Sequence, residues 1–173
     1  MSFIEHWLQG PQSTNFYTRT YTPSEDAPQA TAVVIYIHGF AEHIGRYAHF
    51  HPKLAERGVI VFTFDQRGFG KTVFDEDGHK SPDSAYGKTS WTDQIADIAW
   101  AIDHVKEKYP ALPLFLVGHS MVMRRSLRLH PAATILELTY RAGVRSWVSR
   151  HNQRLLLITP KCFYSLESLQ RVL

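Results

Sequence analysis

LPLFLVGHSMV, residues 112–122, decides how the rest of the chain reads. The apolar run Leu114–Val117 suits a strand covered on both faces, and it breaks into Gly118-His119-Ser120-Met121. A serine on a sharp turn from a parallel strand into a helix is held out with its hydroxyl aimed at the cleft. Gly118, two residues ahead, leaves room for that strained turn. The next amide, that of Met121, lies at the helix start, where developing negative charge is favoured. An ordinary turn with a capping serine matches the same positions, so this motif alone leaves both readings open.

Working outward, TAVVIYIHGF (31–40) and VIVFTF (59–64) are β-branched runs of the fully buried kind. Between them, Tyr47, Phe50 and Leu54 fall at helical spacing in RYAHFHPKLAERG (46–58), with Gly58 as the stop. STNFYTRTYTP (13–23) alternates like an antiparallel strand. Residues 65–90 read as loop. Ser90 with Asp93 forms a capping box, and Trp91, Ile95, Ile98, Ile102 and Val105 line one face of the following helix, which ends at Tyr109-Pro110. Strand, helix, strand, helix, strand in that order predicts a three-layer α/β fold with a mostly parallel sheet. Beyond Met121, 131–143 reads as a helix and RLLLITP (154–160) as a strand.

At 173 residues, with 44% hydrophobic and 20% charged residues, the chain has the makings of one soluble domain. A single cysteine, Cys162, excludes an internal disulfide. The opening MSFIEHWLQG lacks the basic flank of a secretory signal, and no apolar run is long enough to span a bilayer. These features set the expectation of a cytoplasmic protein. The net charge of +3 does not mark a nucleic-acid binder, because its distribution is uneven. Residues 1–121 hold ten Lys and Arg against fourteen Asp and Glu; residues 122–173 hold nine against two.

A second motif supports the first. His38-Gly39-Phe40 comes after the first buried strand and falls at the same carboxyl edge of the sheet as Ser120. There the Phe40 amide can supply a second donor to an oxyanion.

Four blocks in order, HGFAEHIGRY, VFTFDQRGFGKT, YGKTSWTDQIADIAWAI and PLFLVGHSM, resemble the monoacylglycerol lipase group of the α/β-hydrolase superfamily. Lysophospholipase-like serine hydrolases share them. The resemblance covers about residues 5–121. It implies Ser120 as nucleophile, Phe40 and Met121 as backbone oxyanion donors, and His38 and Gly39 as the loop that carries one of them. Asp65, Arg67, Gly68 and Gly70 match a loop that braces the site, and Glu42, His43 and Arg46 flank the cleft. His43 and His119 read as packing or hydrogen-bonding groups, since the general base of this fold comes late in the chain. No cofactor or metal is implied. The substrate implied is a lipid ester, a monoacylglycerol or lysophospholipid, with peripheral contact to a membrane or lipid droplet.

The resemblance stops at Met121. Val122 stands where G-x-S-x-G ends in Gly, and Met123-Arg124-Arg125 begins a segment without family likeness. Glu137, Glu167, His130 and His151 read as incidental rather than as a triad. The expected organisation is an N-terminal hydrolase part, 1–121, truncated after the nucleophile strand, and a poorly defined tail, 122–173, from a shifted frame or altered splice. Activity is therefore expected to be impaired. The alternatives are a non-catalytic fragment that binds lipid or a partner, and a remote P-loop-like reading of Arg67–Thr72.

Overall fold

The computed structural model describes residues 3–119 and the backbone of three further strands, 134–141, 144–151 and 154–158. The strands are β1 (Phe3–Gln9), β2 (Asn15–Tyr21), β3 (Ala32–Ile37), β4 (Val59–Phe64), β5 (Leu114–His119), β6 (Thr134–Arg141), β7 (Val144–His151) and β8 (Arg154–Ile158). The helices are α1 (His51–Ala55), α2 (Lys71–Phe74) and α3 (Trp91–Lys108). One sheet runs in the order β1-β2-β4-β3-β5-β6-β7-β8. Its centre, β4-β3-β5-β6, is parallel, and β1-β2-β4 and β6-β7-β8 are antiparallel.

The central strands are apolar throughout because both of their faces are covered. Along β3 the odd residues Val33, Ile35 and Ile37 pack with Ile98, Ala101, Ile102 and Val105 of α3. The even residues Ala32, Val34 and Tyr36 pack with Leu54 and Ala55 of α1, and Tyr47 and Phe50 flank them. The two-residue period of a strand thus sorts one sequence into two cores and gives three layers. Helix α3 begins at the expected box: the Asp93 amide donates to Ser90 Oγ at 3.1 Å, and the Ser90 amide donates to Asp93 Oδ2 at 3.0 Å. Among the described residues no helix is long and apolar enough to cross a membrane.

Several elements differ from the sequence reading; the stretch 65–90 read as loop contains the one-turn helix α2, and β7 had no counterpart. The helix expected over 46–58 is a 3₁₀ turn, Ile44–Tyr47, followed by the five-residue α1. Pro52 sits in the first turn of α1, where its missing amide starts a helix afresh instead of continuing one. Strand β1 gave no periodic signal because its residues are exposed or half-buried on this edge. The helix expected over 131–143 is replaced by β6, which pairs in parallel with β5 from Phe115↔Thr134 to His119↔Leu138. The backbone groups on that edge of β5 need partners, and the β-branched and aromatic residues in TILELTYR suit a strand. Strand β6 therefore covers β5, and β8, within RLLLITP, is a strand as expected and lies at the far margin.

His51 is fully buried, and neither ring nitrogen has a hydrogen-bond partner among the described residues. The rings of Tyr36 and Tyr21 lie 4.8 and 5.2 Å away, and Tyr47 stacks on it at 5.8 Å. Burial pushes its pKa from 6.5 down to about 3. The unfolded chain then binds a proton that the folded chain refuses, so stability falls as pH drops from 6.5 toward 3. His51→Leu is expected to flatten this slope, with a gain over the parent of roughly 2 kcal/mol at pH 5 and little at pH 8. Urea unfolding at the two pH values reads it, and an unchanged slope counts against the assignment.

Candidate active site

Parallel register places Ile37 of β3 opposite Gly118 of β5, so the chain leaves both strands side by side at one carboxyl edge. Gly39-Phe40 emerges beyond β3, and His119 closes β5 beside it. The two segments touch: a Cβ added to Gly39 would lie 2.8 Å from His119 Nδ1 and 3.0 Å from Glu42 Oε2. Ser120 and Met121, assigned as nucleophile and oxyanion donor, and Val122 lie outside the described residues. The structure brings Gly118 and His119, which precede Ser120 in the chain, beside Gly39, which precedes Phe40.

Glu42 joins the two sides. Its Oε2 accepts from the Gly39 amide at 2.9 Å and from the Tyr47 hydroxyl at 2.5 Å, and lies 3.2 Å from His119 Nδ1. Its Oε1 pairs with Arg46 at 3.0 Å. Burial alone would raise the Glu42 carboxyl, but Tyr47, the Gly39 amide and His119 outweigh it and hold the pKa below the ordinary carboxylate range. Between Phe40 and Glu42, Ala41 takes a left-handed φ of 56°, a conformation uncommon for a residue with a side chain.

His38 is fully buried and is fixed by Gln66, whose amide donates to His38 Nε2 at 2.9 Å and whose Nε2 donates to the His38 carbonyl at 2.6 Å. An accepting Nε2 puts the proton on Nδ1, which donates to the Gly39 carbonyl at 2.8 Å. Burial lowers the His38 pKa, so the ring is a neutral strut beneath the loop and not a base facing substrate. His119 is held by Glu42 and is a hydrogen-bonding group here. His43 precedes the 3₁₀ turn at Ile44, with no side-chain bond to its backbone.

The loop after β4 is a second brace. Asp65 Oδ1 accepts the Ile44 amide and Oδ2 the Lys71 amide, each at 2.7 Å. Burial pushes the Asp65 carboxyl up, and those two amides hold it partway back. Arg67 forms a fork on Asp97 of α3, with Nε to Oδ2 at 3.1 Å and Nη2 to Oδ1 at 2.7 Å. It also donates to the Pro11 carbonyl and to Thr14. One guanidinium therefore ties the loop, the segment before β2 and α3 together. The P-loop reading of Arg67–Thr72 fails on this geometry. The Lys71 amide, which a phosphate would take, is already bound to the Asp65 carboxylate, and α2 is only four residues long.

Among the described residues, Asp75, Asp77 and His79 form the group whose ligand atoms lie close enough to share a metal ion. Asp75 is instead engaged in its own turn, accepting the His79 and Lys80 amides at 2.5 and 3.2 Å. Gln66 is the site residue that reading the sequence missed; its only signal was its place between Asp65 and Arg67.

A three-layer arrangement with a glycine-bearing loop after one central parallel strand, and the sequence Gly118-His119-Ser120 at the end of its parallel neighbour, belongs to the α/β-hydrolase class. Residues 28–121, more than half of the chain, match the family described as serine aminopeptidase, S33, and the chain belongs to that family. A Schizosaccharomyces pombe protein provisionally named a monoglyceride lipase is 39% identical over 107 residues, which is 62% of this chain and 26% of that protein. Human monoglyceride lipase is 31% identical over 90 residues, 52% of this chain and 27% of the enzyme. The crystal structure of a thermostable Bacillus coagulans carboxyl esterase in complex with glycerol superposes with a TM-score of 0.56 at 32% identity, covering 69% of this chain and 36% of the esterase. The chain thus spans about a quarter of the length of the curated relatives it matches.

Gly70 has a φ of +53°, and a Cβ there would lie 2.2 Å from the Asp65 carboxylate. Gly78 has a φ of +84°, with nothing within 4 Å of its Cβ position. Gly78→Ala is expected to cost about 1 kcal/mol, from backbone strain alone. Gly70→Ala adds displacement of a buried carboxylate and is expected to cost roughly 3 kcal/mol or more. Thermal melting of the pair measures the difference, and equal losses would contradict the Asp65 brace.

Proposed function

We propose that the chain is a serine ester hydrolase of the monoacylglycerol lipase type, with Ser120 as nucleophile. The observation that carries this reading is the register Ile37↔Gly118, which sets the Gly39-Phe40 loop beside His119, the residue before Ser120. In the reaction, Ser120 Oγ attacks the ester carbonyl and its proton passes to a base. The amides of Phe40 and Met121 receive the negative charge on the carbonyl oxygen. The tetrahedral intermediate expels glycerol, which takes up the proton, and leaves an acyl-serine; water then releases the fatty acid. The names of the two curated relatives and the glycerol in the esterase structure support a monoacylglycerol substrate. The aromatic run Phe40–Phe69–Tyr86–Phe74, with ring centroids 5.2, 5.8 and 5.5 Å apart, supports peripheral contact with neutral lipid. Phe40, Tyr86 and Phe74 are exposed within it.

We also propose that turnover by this 173-residue chain is slow. Neither His38, buried and neutral, nor His119, bound to Glu42, is placed to serve as the base. Val122, a β-branched residue, stands after Met121 where the motif has glycine, and the shift from an acid-rich to an arginine-rich composition begins there. Loss of the histidine base costs about 10⁶ in turnover in a serine protease, with oxyanion donors retaining ~10³–10⁴ over water.

An alkyl fluorophosphonate is expected to label the chain slowly, with the label lost in Ser120→Ala, and monoacylglycerol hydrolysis is expected to stay near background. Rapid turnover would overturn the impairment; labelling that survives Ser120→Ala would overturn the nucleophile. Reading the coding sequence beyond Met121 in its other two frames is expected to give glycine followed by hydrolase-like strands. If neither frame does, the shifted-frame origin of 122–173 fails.

A further inference from the structure

We infer that Glu42 is a positioning residue that locks the oxyanion loop to the turn bearing the nucleophile, an inference that rests on the hydrolase reading of Ser120. Three groups converge on one carboxylate oxygen. Two come from the chain's own loop and its adjoining turn, the Gly39 amide at 2.9 Å and the Tyr47 hydroxyl at 2.5 Å; the third, His119 Nδ1 at 3.2 Å, comes from 77 residues away in sequence. Gly39 immediately precedes Phe40, and His119 immediately precedes Ser120. One side chain therefore sits one residue from an oxyanion donor on one side and one residue from the nucleophile on the other.

The local geometry shows why a clamp is needed. Hydrogen bonds between β3 and β5 fix the backbones only as far as Ile37 and Gly118. Beyond those residues this pairing has ended, and contacts outside the ladder set how the Gly39-Phe40 loop lies against His119. The loop also carries strain, since Ala41 holds a left-handed φ of 56° directly before Glu42. A conformation of that kind persists where its surroundings over-determine it. Here the Glu42 amide donates to the Gly39 carbonyl at 3.3 Å while the Glu42 carboxylate accepts from the Gly39 amide. Both polar groups of Gly39 are thus bound by the same residue. Absence of a side chain at Gly39 lets His119 approach, since a Cβ would lie 2.8 Å from its ring. On the far side of Tyr47 the clamp rests on His51, stacked at 5.8 Å with an angle of 18°. Glu42 acts through the Gly39-Phe40 backbone and His119. An error of about 1 Å between nucleophile and oxyanion donors is enough to cost ~100-fold in rate, so such a clamp matters to chemistry before it matters to folding.

Two readouts test this in the full chain, with Glu42→Ala as the removal and Glu42→Gln as the graded change. A Gln carbonyl still accepts from Gly39 and Tyr47, but without charge. The first readout is hydrogen exchange at the Gly39 amide. It is expected to speed up about 10- to 100-fold in Glu42→Ala and by less in Glu42→Gln, as expected for loss or weakening of a charge-assisted bond. The second is the rate of Ser120 phosphonylation, expected to fall at least about tenfold in Glu42→Ala at unchanged protein concentration and melting temperature. Unchanged exchange at Gly39 overturns the clamp, and so does a phosphonylation loss that merely tracks the unfolded fraction. Absence of Ser120 labelling in the parent chain counts against the hydrolase reading alone, and the Gly39 exchange then decides the clamp on its own.

Discussion

Parallel pairing between β3 and β5 is the contact on which the rest of the site is built. Both strands are covered on two faces, so their register is set by burial and not by turn chemistry alone. Slipping β5 by one residue would send Phe115 and Val117 to the α3 side and Leu114 and Leu116 to the α1 side, exchanging the two cores. The same register fixes Ile37 opposite Gly118. The hydrophobic ordering of the interior is thus what aligns two polar loops at the edge, although no apolar side chain takes part in the chemistry proposed there.

The polar groups buried around that edge hold backbone in place. His38 bonds to Gln66 and to the Gly39 carbonyl; Asp65 takes the Ile44 and Lys71 amides; Arg67 forks onto Asp97. Each group is costly to bury and each is satisfied, so removing one partner leaves the other exposed to the full desolvation penalty. Asp97 shows the balance. Burial raises its carboxyl, and the Arg67 fork works against that rise. Apart from the bond between neighbours His38 and Gly39, these contacts join segments separated by 6 to 30 residues.

Local chemistry was legible in the sequence where one element contained its whole signal. The Ser90–Asp93 box, the face of α3 through Ile98, Ile102 and Val105, and the two buried runs at Val33–Ile37 and Val59–Phe64 each declare themselves within a few residues. The exposed edge strand β1 has no buried face to pattern it, and α1 is cut short by Pro52, whose effect competes with good helical spacing. Strand β6 reads as a helix until a partner exists, because the open edge of β5 supplies the reason for its extended backbone. At the site, the sequence marked the loop, the turn and Arg67, whereas the partners remained hidden. Nothing in the string links Glu42 with His119, or Gln66 with His38, since those contacts exist only once β3, β4 and β5 lie side by side.

In the proposed reaction, the described part of the chain carries the Gly39-Phe40 side of the oxyanion site and the groups that brace it. A neutral His38 and an ionised Glu42 both have fixed charge states near neutral pH, the first through burial and the second through the hydrogen bonds of Tyr47, Gly39 and His119. Each shift moves the group's titration further below neutral pH. That suits a scaffold for oxyanion donors, whose value lies in not reorganising while charge develops. A base must do the opposite: it needs a pKa near the working pH and a ring free to exchange a proton with substrate. The environment that makes His38 a good strut disqualifies it as a base, and the bond that makes His119 a good anchor commits its Nδ1 to Glu42. Positioning and proton transfer therefore call for different residues.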